Sequence, residues 1–307
     1  MLPSDHLEPW HPREVGRTHH LRTALHGHHQ QLFSEPNLEE EHLRARNRSQ
    51  LNSSNGYARF RWMRCLGAPL FQLLGADAPD YVHSGPVYLL SITDRRHVWL
   101  SADEQENSGA GPNVSLDRIR YDLEQVVRGL DALGMIDVAS YVSAGKVLGH
   151  PHVYHPHLHA LVWNRTRKQM ARLCRRLNQS LRPLQPNATA AHWREVRPGD
   201  IRQVLWYCLK SPRDQHQMWV RANGAHRQAK RLINGVNAVR LHALMRDLTL
   251  DQLTIAAGAG RPILAHAVAD AERWRANAVR RGVVLKNPPK DPPEKPRVKQ
   301  TLGELVL

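Results

Sequence analysis

Two short stretches of this chain bring together side chains that could do chemistry. The first reads Tyr154-His155-Pro156-His157-Leu158-His159-Ala160-Leu161-Val162-Trp163. Its second half alternates. In a β-strand, side chains repeat with period two. His157, His159, Leu161 and Trp163 then share one face, and Leu158, Ala160 and Val162 share the other. One face is apolar and fit for a core; the opposite face presents two imidazoles side by side. Two neutral imidazoles a strand step apart can grip one divalent metal ion. In a chain with 20 histidines, an isolated His-x-His also reads as two ordinary histidines on a half-exposed strand. The second stretch is Trp206-Tyr207-Cys208-Leu209-Lys210. In a helix, Tyr207 and Lys210 are neighbours on one face, with Gln203 one turn earlier. This face lies away from the apolar stripe of Ile201, Val204, Leu205, Cys208 and Leu209. A tyrosine serving only the core would sit on the stripe. Alone, the pair also reads as a half-exposed tyrosine beside a solvated lysine.

The elements that must position these groups follow from periodicity and punctuation. Val87 to Thr93 is a strand, nearly continuous in apolar residues and therefore central. Ser101 to Asn113, rich in Gly, Asn and Ser, reads as a loop. Ser115 is an N-cap for a helix whose stripe, Leu116, Ile119, Leu123, Val126, Val127 and Leu130, runs through Leu133, with Gly134 ending it. Met135 to Val142 is a second strand, joined to the His157 strand by a histidine-rich hairpin turn. Arg165 to Leu181 is a helix with Met170, Leu173, Leu177 and Leu181 inward and arginines outward. Among the latter, Arg172, Arg175 and Arg176 are candidate DNA contacts. Thr189 to Val196 is a fourth strand. Asp200 caps the helix that carries Tyr207, and Ser211-Pro212 stops it. The order strand, helix, two strands, helix, strand, helix predicts an α+β fold: an antiparallel sheet with helices packed on it.

The flanks differ. Residues 1–80 are basic, histidine-rich and partly helical. The cluster from Thr18 to His29 matches no closed zinc site and reads as a solvated or DNA-facing segment. Asn37 to Arg48 reads as a charged helix and Asn52 to Gly56 as a loop. Tyr57 to Arg64 interleaves aromatics with Arg59, Arg61 and Arg64, as nucleic-acid surfaces do. The same stretch also fits an amphipathic helix with a basic solvent face. Residues 81–214 hold both chemical stretches. Residues 215–285 read as helical, including Ala229 to Arg246 and Thr249 to Ala257. Residues 286–307 form a Pro/Lys-rich disordered tail.

Composition narrows the function classes. The 307 residues carry 43 Lys+Arg against 28 Asp+Glu, a net charge of +15. Such a surface implies a polyanionic partner, most often nucleic acid. The most apolar long stretch, Leu250 to Ala269, is broken by Asp251, Arg261 and Pro262, so no membrane span is expected. The N-terminus lacks the layout of a signal peptide. Cys65, Cys174 and Cys208 form no CxxC pair, which fits a reducing cytoplasm.

At this point the combination resembles a known family. His157-Leu158-His159 is similar to the His-hydrophobe-His motif of the HUH endonucleases, and Tyr207-Cys208-Leu209-Lys210 to their YxxK nucleophile motif. Leu89-Leu90-Ser91-Ile92-Thr93 resembles the first motif of the single-tyrosine rolling-circle plasmid replication initiators. The three occur in the family's order and cover roughly Val87 to Asp214. The resemblance implies an HUH nuclease unit at 81–214 that nicks and rejoins single-stranded DNA at an origin or nick site. It implies Tyr207 as nucleophile, leaving a 5′-phosphotyrosine link, with Lys210 stabilising charge. It also implies Mn²⁺ or Mg²⁺ on His157 and His159 with an acidic or polar third ligand from a neighbouring strand. Asp137, flanked by apolar residues in a strand expected to pair with the His157 strand, is the candidate. A solvated strand end is the other reading of Asp137, and His155 and His152 are less favoured ligands. Tyr154 is the rival nucleophile. Single-stranded DNA is the implied partner, with a host helicase as a possible second one.

Three other readings bear on the same residues. A rolling-circle insertion-sequence transposase also carries a His-hydrophobe-His strand, but it tends to have a glycine-rich turn where Trp163-Asn164-Arg165-Thr166 stands here. A conjugative relaxase usually places its tyrosine before the histidines. A non-catalytic nucleic-acid-binding protein would make the histidines and Tyr207 coincidental.

Overall fold

A computed structural model describes residues 11–28, 43–75, 85–185, 188–212, 214–223, 226–233 and 235–280. The expected tail at 286–307 and the first half of the expected helix at Asn37 to Arg48 lie outside them; the described part of that helix ends in a 3₁₀ helix, Ala45–Gln50. The fold is α+β. Its organising element is a mostly antiparallel sheet in the order β4-β1-β3-β2-β5-β6. In chain order these are β1 (Val87–Ile92), β2 (Asp131–Val142), β3 (His152–Trp163), β4 (Ala191–Val196), β5 (Asp214–Val220) and β6 (His226–Leu232). A short β7 (Thr254–Ala257) joins from the side of β2.

The edge of β2 away from β3 is divided. Its first part, Ala132 to Met135, pairs with β7, and its last part, Ser140 to Val142, pairs in parallel with β5. No described strand pairs with Ile136 to Ala139 on that side. Asp137 lies in this gap.

Helices cover both sheet faces. They are α1 (His11–His28), α2 (Gly56–Leu74), α3 (Ala102–Ser108), α4 (Leu116–Val127), α5 (Gly145–Leu148), α6 (Arg167–Ser180), α7 (Ile201–Leu209), α8 (Gly235–Met245), α9 (Leu250–Leu253) and α10 (Gly260–Arg280). Local sequence sets their ends. Asn55 accepts a hydrogen bond from the Ala58 N–H and starts α2, and Thr166 with Gln169 forms a capping box on α6. Leu89, Leu133 and Leu161 are buried on one sheet face, and Leu90, Ala160 and Val162 on the other. One hydrophobic core includes Leu25 and Leu66, the sheet, and Val239 and Ala267. Among the described residues, no helix is long and apolar enough to cross a membrane.

Several expected elements differ. Helix α4 ends at Val127 rather than Leu133. Gly129, at φ +76°, turns the chain into β2, which already begins at Asp131. Gly134 is therefore a strand residue, and a Cβ there would run into the His159 carbonyl. The stretch after Gln215 is helical only in part: α8, α9 and α10 lie in it, but β5 and β6 form a hairpin and Thr254 to Ala257 is β7. Strand pairing outweighs local pattern in both places. The expected loop after Ser101 holds α3. Asp200 makes no side-chain cap; a 3₁₀ turn, Pro198–Asp200, leads into α7 instead.

Candidate active site

Strand register assembles the site. Asp137 of β2 lies directly opposite His157 of β3, and Ser91 of β1 lies opposite His159. Paired residues share a face, so Asp137, His157, His159 and Ser91 project from the same side. Asp137 and His159 are buried and His157 is half-buried. Asp137, His157 and His159 each offer a ligand atom within 4.8 Å of the other two. This buried group could hold a metal ion.

The rings are held from behind. His157 Nδ1 lies 3.0 Å from the His155 carbonyl, which fixes the proton on Nδ1 and leaves Nε2 a lone pair. His159 Nδ1 lies 2.8 Å from Ser91 Oγ. The two Nε2 atoms face each other at 3.0 Å. Two lone pairs at that distance repel. One nitrogen must carry a proton, or both must address a cation. Behind them, His155 donates from Nε2 to the Asp94 carbonyl at 3.0 Å, so its ring packs parallel to His157 without serving the site.

The electrostatics suit a cation. Burial pushes all three imidazoles toward the neutral form: His159 and His155 fall to about 3, and His157 is also lowered. Burial opposes ionisation of Asp137, but Lys210 overrides it and holds the carboxyl well below the usual carboxylate range. Two neutral nitrogens and one carboxylate are a fitting donor set for a divalent metal.

Helix α7 delivers the other two groups. Tyr207 is half-buried, with its hydroxyl 3.3 Å from His159 Nε2 and its ring tilted against the imidazole at 4.9 Å. Burial raises the phenol above its ordinary range, while Lys210 pulls it down. Lys210 follows the last turn as the helix C-cap. Its Nζ donates to Asp137 Oδ2 at 2.9 Å and sits 4.9 Å from the Tyr207 ring centre. Burial alone would lower this ammonium; Asp137 outweighs it and keeps the group charged. Gln203 is exposed and stands apart from the site.

Two residues whose side chains lie outside the cluster fix the end of α7. Arg59 of α2 is 3% exposed. Its guanidinium donates to the Leu209 and Lys210 carbonyls, both at 2.9 Å, and to the Ser53 carbonyl at 2.5 Å. A buried cation on the last carbonyls satisfies orphan acceptors and complements the helix dipole. Glu14 of α1 accepts from the Ser211 hydroxyl at 2.5 Å and pairs with Arg17. Lys210 is thus anchored on both sides in sequence.

The expected site residues separate into two groups. The structure brings together His157, His159, Asp137, Tyr207 and Lys210. It removes Arg59 from the expected DNA-binding set, because its side chain is consumed inside the fold. Arg61 lies 3.5 Å over the Trp274 ring, whereas Arg64, Arg172, Arg175 and Arg176 are exposed. Tyr154 and His152 fall on the face opposite the histidine pair, by their odd spacing from His157. Tyr154 is 1% exposed and burial raises its phenol. Sequence reading missed Ser91, Glu14 and the role of Arg59 at the end of α7. Ser91 sat inside a recognised motif, but only strand register points it at His159. No protein-family profile, no curated protein and no solved structure matches this chain.

Proposed function

We propose that this chain is a metal-dependent endonuclease and strand transferase acting on single-stranded DNA, of the kind that starts rolling-circle replication, with Tyr207 as its nucleophile. One observation carries the reading. Residues from three separate elements, chosen by sequence pattern, meet at one point: the Tyr207 hydroxyl is 3.3 Å from His159 Nε2. That nitrogen in turn is 3.0 Å from His157 Nε2, and Asp137 pairs opposite His157.

The chemistry follows from the residues. The Tyr207 oxygen attacks the scissile phosphorus as the bond from phosphorus to the 3′ oxygen breaks. The phenolic proton passes to solvent, and the departing 3′ oxygen takes one up. One side of the nick keeps a 3′-hydroxyl and the other a 5′-phosphotyrosine link. The ester bond is conserved, so rejoining needs no ATP. A phenol is a poor nucleophile while protonated, and the Lys210 ammonium stabilises the phenolate and the charge developing at phosphorus. Ser91 and the His155 carbonyl hold the two imidazoles in place. A divalent cation, Mn²⁺ or Mg²⁺, held by His157, His159 and Asp137 would polarise the non-bridging phosphate oxygens. A net charge of +15 provides the affinity for the strand.

The test is incubation with a pool of single-stranded oligonucleotides and Mn²⁺ or Mg²⁺, followed by mass spectrometry for a peptide–DNA adduct. The expected adduct is on Tyr207. Tyr207→Phe forms none yet binds metal and DNA like wild type, and Tyr154→Phe still reacts. His157→Ala or His159→Ala abolishes cleavage and spares most DNA affinity. An adduct on Tyr154 or an active Tyr207→Phe protein refutes the nucleophile. Full activity in excess EDTA removes the metal.

A further inference from the structure

The β5–β6 hairpin has a face that neither the core nor the site uses. Trp219 is 41% exposed. It lies beyond Gln217, the last β5 residue paired with β2, and directly opposite Arg227. Even spacing puts Gln217 of β5 and Ala229 and Arg231 of β6 on the same face. Arg227 and Arg231 are exposed, as is Arg221 just past the end of β5. The one acidic residue of the hairpin, Asp214, lies on the other face, tied to Lys230 at 2.8 Å.

β6 is the terminal strand of the sheet. Arginines on such an edge would by themselves serve to keep other strands away. An exposed indole opposite one of them adds nothing to that protection. A flat aromatic surface among cations does suit an unpaired base flanked by phosphates. The hairpin also follows the site closely in the chain, at the edge of the same sheet. Three residues, 211–213, separate Lys210, the C-cap of α7, from the start of β5 at Asp214. His216 stacks on Tyr141 at 5.1 Å beside the Asp137 cluster. Trp219 follows three residues later, about 10 Å along the strand and on its opposite face.

We propose that this face of the hairpin binds single-stranded nucleic acid, with one base stacked on Trp219 and phosphates on Arg227, Arg231 and Arg221. The proposal rests on the reading of the chain as a single-strand nicking enzyme and carries the strand from the site's face around the β6 edge of the sheet. The experiment reads binding alone: fluorescence anisotropy of a labelled oligothymidylate and of a duplex, in EDTA so that nothing is cut. Trp219→Ala should weaken single-strand binding by about 5- to 100-fold. It should leave duplex affinity, the salt slope and the melting temperature unchanged. Trp219→Phe should recover most of the affinity. Arg227→Ala should lower the salt slope by about one.

Equal oligothymidylate affinity for wild type and Trp219→Ala overturns the proposal and leaves the nicking reading intact. A wild-type protein that binds no single strand overturns both. A Trp219→Ala change that converts a dimer to a monomer in sedimentation, with unchanged oligonucleotide affinity, overturns the proposal in favour of a second copy at this edge.

Discussion

Two buried polar clusters meet at the C-terminal end of α7, and they differ in what their charges face. The first is made by Glu14, Arg17, Arg59 and Ser211. There the Arg59 guanidinium is spent on three backbone carbonyls, and the Glu14 carboxylate on Ser211 and Arg17. The second is made by Asp137, His157, His159, Tyr207 and Lys210. There the Nε2 atoms of two neutral rings converge on each other, with a carboxylate opposite. The first cluster closes upon the protein itself. The second is arranged around a point at which a ligand would complete it. Similar residue types, a few residues apart, hold the fold in one case and form a group that could hold a metal ion in the other. The separating factor is whether the partner is a fixed backbone carbonyl or another side chain's lone pair.

The largest expected effect comes from breaking the second cluster's ion pair. Asp137→Asn leaves the Lys210 ammonium buried without a counter-charge, and removing one partner of such a pair costs about 3–5 kcal/mol. Metal affinity should fall by roughly 10–100-fold, the loss seen when a supporting group is removed from a metal site. Adding Lys210→Met should restore most of the stability in urea unfolding but not the metal affinity by calorimetry. Recovery of both would make Asp137 a partner of Lys210 and nothing more. Wild-type metal affinity in Asp137→Asn would remove it from the ligand set.

A smaller effect distinguishes two arginines that look alike in sequence. Arg59→Met deprives three carbonyls of a charged donor and should cost about 2–3 kcal/mol, with the salt slope of DNA binding unchanged. Arg64→Ala, at an exposed position, should stay within about 0.5 kcal/mol of wild-type stability and reduce the slope by about one. The reverse pattern would mean that Arg59 faces DNA after all.

That pair also marks where sequence stops being informative. Period two in β3 placed His157 and His159 together. The expected β2–β3 pairing placed Asp137 beside them, and helical spacing put Tyr207 with Lys210. Each of these depends on one element or on two adjacent ones. Arg59 depends on a contact 150 residues away, and within Tyr57 to Arg64 nothing distinguishes the buried arginine from Arg61 and Arg64 except the register of the helix against the core. Ser91 depends on which residue of β1 stands opposite His159. The β5–β6 hairpin has no apolar face to betray it, because β6 is exposed over most of its length. The end of α4 was hidden because Leu130 and Leu133 continue a helical spacing after the chain has turned at Gly129.

The smallest expected effect concerns the support behind the second cluster. The Asp94 carbonyl accepts from His155, whose own carbonyl orients His157. Its buried carboxylate is bound by the Arg96 guanidinium and by the Arg96 N–H. Burial opposes its ionisation, but Arg96 outweighs this and lowers the carboxyl below its ordinary value. The folded state thus prefers the ionised form more than the unfolded chain does, whose Asp titrates near about 3.9. This stability is present above that pH and is lost as pH falls through the lower folded value. Arg96 is 52% exposed, so solvent screens the pair and its contribution should be about 1 kcal/mol or less. Asp94→Asn should therefore be slightly less stable at neutral pH, and its urea midpoint should fall less steeply than wild type below about pH 4. Parallel acid limbs would show that the ion pair contributes nothing. The substitution leaves the Asp94 backbone carbonyl in place, so the bond to His155 survives and metal affinity at neutral pH should not change. A weakened metal site in Asp94→Asn would mean that the carboxylate, and not only the carbonyl, fixes the turn that His155 leans on.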